Sequence, residues 1–258
     1  MHIKWLALAV GSAMAFASVS ASAQDLRVAV DPTYEPFVYK NEQGELVGFN
    51  IDFSHAICEE LKRNCVFVEQ VWDAMIPGLQ SRRYDVIISD MSITEERKKV
   101  IDFTDRYYKT PGTIVVRKSL DYQGHDSLKG LRLGVLKGST HERYAEGELA
   151  PKGAQIISYE AQDQVYLDIN AGRLDGTVAD KVEVTGGFLS KPEGQDFKTV
   201  GPDLLEEKYF GAGMGIALRK GQDELREQLN AAIASLRSSG KYQQIASKYF
   251  DFDVYGED

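Results

Sequence analysis

Arg83-Tyr-Asp-Val-Ile-Ile-Ser-Asp90 and Arg173-Leu-Asp-Gly-Thr-Val-Ala-Asp180 spell one pattern twice. In each, a basic residue precedes an aspartate by two, a short β-rich run follows, and a second aspartate closes it. Upstream, Val66-Phe-Val-Glu-Gln-Val-Trp-Asp73 and Ile156-Ile-Ser-Tyr-Glu-Ala-Gln-Asp163 also end β-rich runs on Asp, with a helical stretch in between. A strand-helix-strand unit met twice points to two lobes of one design. In open α/β sheets, ligands sit beyond the carboxyl ends of the strands. Asp90 and Asp180 are therefore expected to face a cleft between the lobes, joined by Asp31 at the end of the run Leu26 to Val30.

Outward from that repeat, further β-rich runs at Ile114 to Val116 and Leu131 to Val135 alternate with helical patterns such as Asp52 to Lys62. This alternation predicts an α/β chain with largely parallel sheets. After the second copy come two helical stretches, Leu225 to Leu236 and Tyr242 to Phe252. A chain that leaves lobe 1 near Lys109-Thr-Pro-Gly112 and returns near Tyr209-Phe-Gly211 crosses a hinge twice, which favours bending over sliding. Lobe 1 is expected over 24–110 and 212–258, and lobe 2 over 111–211.

At 258 residues the chain has length for one large domain or two modest ones. Hydrophobic residues at 43% and charged residues at 27% exclude a disordered chain and a multispanning membrane protein. Thirty Lys and Arg against 39 Asp and Glu give a net charge of −9, which repels phosphate backbones, so nucleic acid is not an expected partner. Residues 1–23 read as a secretory signal peptide: a polar start with Lys4, an apolar run from Trp5 to Ala17, and Ala21-Ser22-Ala23 at the cleavage site. The mature protein is expected to be soluble. Export places Cys58 and Cys65 in an oxidising compartment, where thiols pair, so a staple is expected between the helix over 50–62 and the next strand. The spacing is not a zinc spacing, and the four histidines, at 2, 55, 125 and 141, form no cluster, so no metal is expected.

The chemistry concentrates in two motifs. In Ser89-Asp-Met-Ser-Ile-Thr-Glu-Glu-Arg97, Ser92 and Glu95 suggest a capping box. Arg97 then falls in a first helical turn, where the dipole disfavours a cation unless an anion meets it. In Leu133-Gly-Val-Leu-Lys-Gly-Ser-Thr-His141, a Gly turn leads to a helix start whose Ser139 and Thr140 N–H groups can cradle a carboxylate. Tyr34 and Trp72 are candidate aromatic walls. Together these make a zwitterion site with an extra negative end. An α-carboxylate would meet Arg97, an α-ammonium Asp180 and the Ser92 hydroxyl, and Asp31 would hold a second positive charge.

The chain resembles the periplasmic basic amino-acid-binding proteins of bacterial ABC importers, the histidine-binding and lysine/arginine/ornithine-binding components. The stretches that carry the resemblance are Asp31-Pro-Thr-Tyr-Glu-Pro-Phe37, Gly44-Glu-Leu-Val-Gly-Phe-Asn-Ile-Asp52, Ser92-Ile-Thr-Glu-Glu-Arg97, Gly134-Val-Leu-Lys-Gly-Ser-Thr140, Ala171-Gly-Arg-Leu-Asp175 and Lys248-Tyr-Phe-Asp-Phe-Asp-Val-Tyr-Gly256. It implies the two-lobed periplasmic binding protein fold, a periplasmic location, an inner-membrane permease complex as partner, a monomer, and a disulfide at Cys58 and Cys65. It also implies ligand contacts at Asp31, Tyr34, Trp72, Ser89, Asp90, Ser92, Arg97, Leu136, Thr140, His141 and Asp180. Three positions depart from the family pattern, which commonly has Ser at position 90, Leu or Phe at 72, and Gln or Ser at 141. With Asp90 beside Asp31, two carboxylates favour a long cationic side chain: arginine first, lysine and ornithine next, histidine weakest. The rival expectation is a small hydrolase or dehydratase on the same fold using Asp90 or Asp31 as general acid, which needs a carboxyl raised toward neutrality. A third, the sensing module of a signalling receptor, is disfavoured by the lack of a spanning or kinase segment.

Overall fold

The computed structural model describes residues 24–256, so the signal peptide expected over 1–23 lies outside the described residues. In chain order the strands are β1 (Asp25–Val30), β2 (Thr33–Tyr34), β3 (Val38–Lys40), β4 (Leu46–Val47), β5 (Asn64–Glu69), β6 (Val86–Ile87), β7 (Ile101–Tyr108), β8 (Gly112–Arg117), β9 (Arg132–Leu136), β10 (Gln155–Tyr159), β11 (Gly176–Asp180), β12 (Phe197–Leu204) and β13 (Met214–Arg219). The α-helices are α1 (Phe49–Glu60), α2 (Met75–Gln80), α3 (Glu95–Lys98), α4 (Thr140–Tyr144), α5 (Gln162–Asn170), α6 (Lys181–Val184), α7 (Glu207–Phe210), α8 (Asp223–Ser238) and α9 (Lys241–Ala246).

Two five-stranded sheets carry the fold, in the orders β5-β1-β6-β13-β7 and β10-β9-β11-β8-β12. Each has a parallel half, β5-β1-β6 in one and β10-β9-β11 in the other, and each continues into two antiparallel pairings. The sheets are thus mixed, because one strand of each is supplied from beside a crossing between sheets. β8 opens the excursion into the second sheet and β13 closes it. A small antiparallel sheet, β2-β3-β4, lies beside the first. The chain passes between sheets from Tyr108 to Gly112 and returns between Leu204 and Met214.

The repeat extends to side chains. Arg27 in β1 donates to Asp85 through its backbone N (3.1 Å), Nε (3.0 Å) and Nη2 (2.8 Å). Arg132 in β9 does the same to Asp175 at 2.9, 3.0 and 3.0 Å. The aspartates are those of the doubled pattern, and in each sheet the fork tethers the start of the strand leading to Asp90 or Asp180 (β6 or β11) to its parallel neighbour.

Helices cover the sheets because their apolar residues recur at helical spacing. In α8, Leu229, Ala232, Ile233 and Leu236 fall at i, i+3, i+4 and i+7 and are buried. Asp223 and Glu224 in its first turn and Arg237 in its last suit the macrodipole. α1 starts at Phe49, three residues before the expected Asp52. Gly48 permits this: its φ is +123°, and a Cβ there would lie 2.4 Å from the Phe37 carbonyl oxygen. The Cys58–Cys65 disulfide joins α1 to β5, with Cα atoms 5.8 Å apart. The final helix is shorter than the sequence predicts, ending at Ala246 instead of Phe252. Beyond it Phe250 packs edge-on to Phe49 at 5.1 Å and the Val254 carbonyl accepts from Lys109 N, so tertiary contacts take the tail off the helix axis.

Candidate functional site

One enclosed cavity lies between the two sheets, at the strand ends. From the first sheet side its walls are Asp31, Tyr34, Trp72, Ser89, Asp90 and Ser92; from the second they are Leu136, Thr140 and His141. Arg97 and Asp180 stand just behind this lining and are buried. Ser139, expected as a donor to an anion, also lines the cavity, and Met214 joins the wall without any expectation from the sequence. Met214 opens β13 and bridges to Ser92, a neighbour more than a hundred positions away that no local pattern reveals.

At one end is a buried cation. α3 begins at Thr94, whose hydroxyl accepts from Arg97 N at 3.3 Å. This corrects the expected Ser92 cap: Ser92 is still extended, held by its bridge to Met214. Arg97 donates from Nη1 to Ser92 O (3.1 Å) and from Nη2 to Gly138 O (3.3 Å), thereby tying the two sheets together. Its guanidinium lies over the Trp72 ring at 5.3 Å. Trp72 thus carries the protein's own arginine over its ring while it lines the cavity, and Tyr34 is the second aromatic wall. No carboxylate pairs with Arg97 among the described residues, and burial brings its pKa down to about 10. Opposite, Ser139 caps α4 by accepting from Glu142 N at 3.0 Å. Its own N–H is not free for an anion, since it donates to Leu136 O. His141 is pushed down to about 3 by burial and then by Arg97, so it is neutral. Its ring rests 5.5 Å from that of Phe210.

At the other end three carboxyls converge. Asp31 Oδ1 accepts from Thr33 N (3.1 Å) and Oγ1 (2.8 Å), while its backbone N–H donates to Ser89 Oγ. Burial raises it to about 6. Asp180 caps α6: Oδ1 accepts from Val182 N (2.8 Å) and Glu183 N (3.1 Å), and Oδ2 from the Thr110 hydroxyl. It too is raised to about 6 by burial. Asp90 sits at φ +57°, accepts from Asn50 Nδ2 at 3.3 Å on Oδ1, and has no partner for Oδ2. Burial pushes it well up, followed by repulsion from Asp180 and, less, from Asp31. Asp90 therefore belongs as much with Asp180 as with Asp31, beside which the sequence reading set it. Glu183, buried in the first turn of α6, accepts from the Tyr166 hydroxyl at 2.6 Å. Neither it nor Asn50 is among the expected contacts; Asn50 lies within a quoted stretch and at the start of the expected helix, where no local pattern marks its side chain.

Ion pairs flank the cavity mouth between the sheets, at Lys137–Asp73 (2.9 Å), Lys191–Glu35 (2.6 Å) and Arg143–Glu96. Each is partly exposed, so it adds little to stability. Groups of His, Cys, Asp and Glu able to hold a metal ion are absent among the described residues. So is a helix long and apolar enough to cross a membrane.

Residues 26–252 match the family described as bacterial extracellular solute-binding proteins, family 3. The histidine-binding periplasmic protein of Escherichia coli K12 is 47% identical over 259 residues, covering 98% of this chain and 100% of that protein. The L-arginine-binding protein of Pseudomonas aeruginosa is 46% identical, covering 98% of this chain and 99% of its own. A solved periplasmic binding protein of Salmonella typhimurium, described as having high arginine specificity, superposes with a TM-score of 0.82 at 30% identity, covering 88% of this chain and all of that one.

Proposed function

Because the chain belongs to family 3 of the bacterial extracellular solute-binding proteins, we propose that its cleft closes on a basic L-amino acid, arginine in preference to lysine and ornithine, and histidine least. The observation that carries this is the division of charge across one cavity: an unpaired buried guanidinium at one end, and at the other three buried carboxyls with no cation among them. A buried charge without a partner costs several kcal/mol. A zwitterion with an added positive charge relieves both ends at once. Its α-carboxylate meets Arg97, its α-ammonium meets Asp180, and the side-chain cation lies between Asp31 and Asp90 with Tyr34 stacked on it. Arginine offers five donors, whereas histidine is shorter and mostly neutral at pH 7.

The protein is a binding protein and not an enzyme, as its relatives are. Raised carboxyls in the empty cleft resemble the requirement of a general acid. A ligand cation lowers them on arrival, and the site then holds charge instead of passing a proton. Lobe 1 would comprise 24–110 and 212–258, lobe 2 111–211, and bending occurs at the two crossings. Export to the periplasm after removal of residues 1–23, work as a monomer, and delivery of the closed form to an inner-membrane ABC permease complex complete the reading; the periplasmic relatives support it.

Calorimetry of the purified protein against the proteinogenic amino acids, ornithine and citrulline tests it. Arginine should bind tightest, and at 100 times its Kd should add about 2.7 kcal/mol to stability. Tighter histidine than arginine overturns the ranking, and no binding of any amino acid overturns the assignment.

A further inference from the structure

We propose that Asn50 and Tyr107 are positioning residues that aim Asp90, and that this short chain of hydrogen bonds, as much as Asp90 itself, sets the preference for a cationic ligand side chain. The inference rests on the reading that the cavity takes an amino acid. The Tyr107 hydroxyl donates to Asn50 Oδ1 at 3.0 Å, and Asn50 Nδ2 donates to Asp90 Oδ1 at 3.3 Å. Because the Tyr107 proton goes to Asn50 Oδ1, the amide is held with its NH2 toward the carboxylate.

The supports of this chain of hydrogen bonds are rigid. Asn50 is fully buried in the first turn of α1. Tyr107 in β7 stacks on Phe53 with ring centroids 4.5 Å apart and planes within 3°. Asp90 is held in the left-handed backbone region, which a non-glycine residue adopts only when its surroundings fix it. One carboxylate oxygen is thus spent on Asn50, and the other, buried and unpartnered, is left to the cavity that Asp90 lines.

The titratable groups facing Asp90 are Asp31 after β1, Asp180 and Glu183 at the end of β11, Tyr34 in β2 and Tyr107 in β7. None is a cation. Asn50 is therefore the side chain that opposes the upward push on Asp90. Without it Asp90 holds its proton more tightly, and a cationic side chain displaces that proton at greater cost.

The test is a mutant cycle of Asn50→Leu, Tyr107→Phe and Asp90→Ser, titrated with arginine and with histidine by calorimetry from pH 6 to pH 9. Asn50→Leu should weaken arginine about tenfold at pH 7 and histidine less than about threefold, the scale of one charged hydrogen bond. It should also move the pH at which arginine affinity levels off upward. In the Asp90→Ser background it should do neither. Tyr107→Phe, which removes a single oxygen, should shift the profile in the same direction by less, and carries the test if Asn50→Leu does not fold. Equal losses for both ligands, or the same loss with and without Asp90, reduce Asn50 and Tyr107 to a structural role and overturn the proposal. A wild-type protein that binds arginine while the cycle shows no coupling refutes this inference alone. A wild-type protein that binds no amino acid refutes the functional reading together with it.

Discussion

Asp90 and Asp180 follow equivalent strands of two sheets built alike, Asp180 as the last residue of β11 and Asp90 three residues past β6, yet the two carboxyls are held in opposite ways. Asp180 accepts two backbone N–H groups and a hydroxyl, so it is anchored before any ligand arrives. Asp90 has one amide contact and one empty oxygen, at a strained φ. The repeated frame, down to the matching Arg27–Asp85 and Arg132–Asp175 forks, fixes where a strand-end aspartate lies. The residue types just beyond the strand decide what it does. After Asp180 a helix supplies donors; after Asp90 the chain runs on extended and supplies none. The anchored aspartate suits the part of the ligand that every amino acid shares, and the open one suits the part that varies.

The strongest break of that comparison is at the shared end. Arg97→Ala should lower affinity for arginine and histidine alike by roughly 3–5 kcal/mol, two to three decades, since a buried partner is lost. Asp180→Asn should act on both ligands in the same way. Calorimetry with both ligands checks this, and near-native arginine affinity in either variant refutes the corresponding assignment.

Acidification strikes both carboxyls that sit at about 6, one from each half. Their pKa is raised in the empty cleft and lowered by the ligand cation, so binding releases protons. Affinity is full above this range and falls as pH drops through it. At pH 5 the loss for arginine should approach about one decade for each carboxyl that must give up a proton. Titrations in buffers of different ionisation enthalpy measure the release directly. An arginine Kd that stays flat from pH 7.5 to pH 5 contradicts the charge arrangement.

The halves also differ in covalent support, for the disulfide lies in the first alone. Reduction should cost about 2.5 kcal/mol on chain-entropy grounds for a loop this short. The loss should appear as faster amide exchange in β1, β5 and α1, with β9 to β11 unchanged. A uniform loss across both sheets would show that the halves unfold as one.

Asp90→Ser should weaken arginine by roughly 1–3 kcal/mol and histidine much less. Equal losses would place Asp90 away from the ligand side chain. The smallest effect should come from the paired forks. Asp85→Asn and Asp175→Asn should each cost about 1 kcal/mol or less, since both pairs are partly solvated. The Arg132 fork holds the Asp175 carboxyl below its usual range, and the Arg27 fork does so for Asp85 against the opposing effect of burial. This stabilisation is present above the unfolded carboxyl pKa and disappears as pH falls through the lowered folded values. Urea unfolding at pH 7 and pH 3 should therefore show the variants converging on wild type in acid.

Much of this was readable from residue order. The doubled pattern placed the strand-end aspartates, and the β-rich runs named most strands of the two sheets. What the chain order hid were contacts made by folding alone. Trp72 reads as an aromatic wall and lines the cavity, but nothing in the order of residues tells that the buried Arg97 lies over its ring. Ser139 reads as a donor, yet its N–H turns back on Leu136. Asn50 reads as an ordinary polar residue near a helix start. Its role depends on Tyr107, fifty-seven positions on, which reaches it across the core.

The interleaving of the first sheet has a consequence for the order in which the molecule can be built. All five strands of the second sheet lie in one uninterrupted stretch, from Gly112 to Leu204. β7, in contrast, pairs with β13 and no other strand, and β13 also holds β7 to β6. While a chain is being extended from its amino end, the second sheet is complete before the seam of the first exists. Tyr107 rides on β7, so the wall behind Asp90 is set only when residues 214–219 slot into the gap, the closure of a long loop. A nascent chain halted at residue 205 would hold one finished sheet and no cleft, so the capacity to bind is acquired in a single late step.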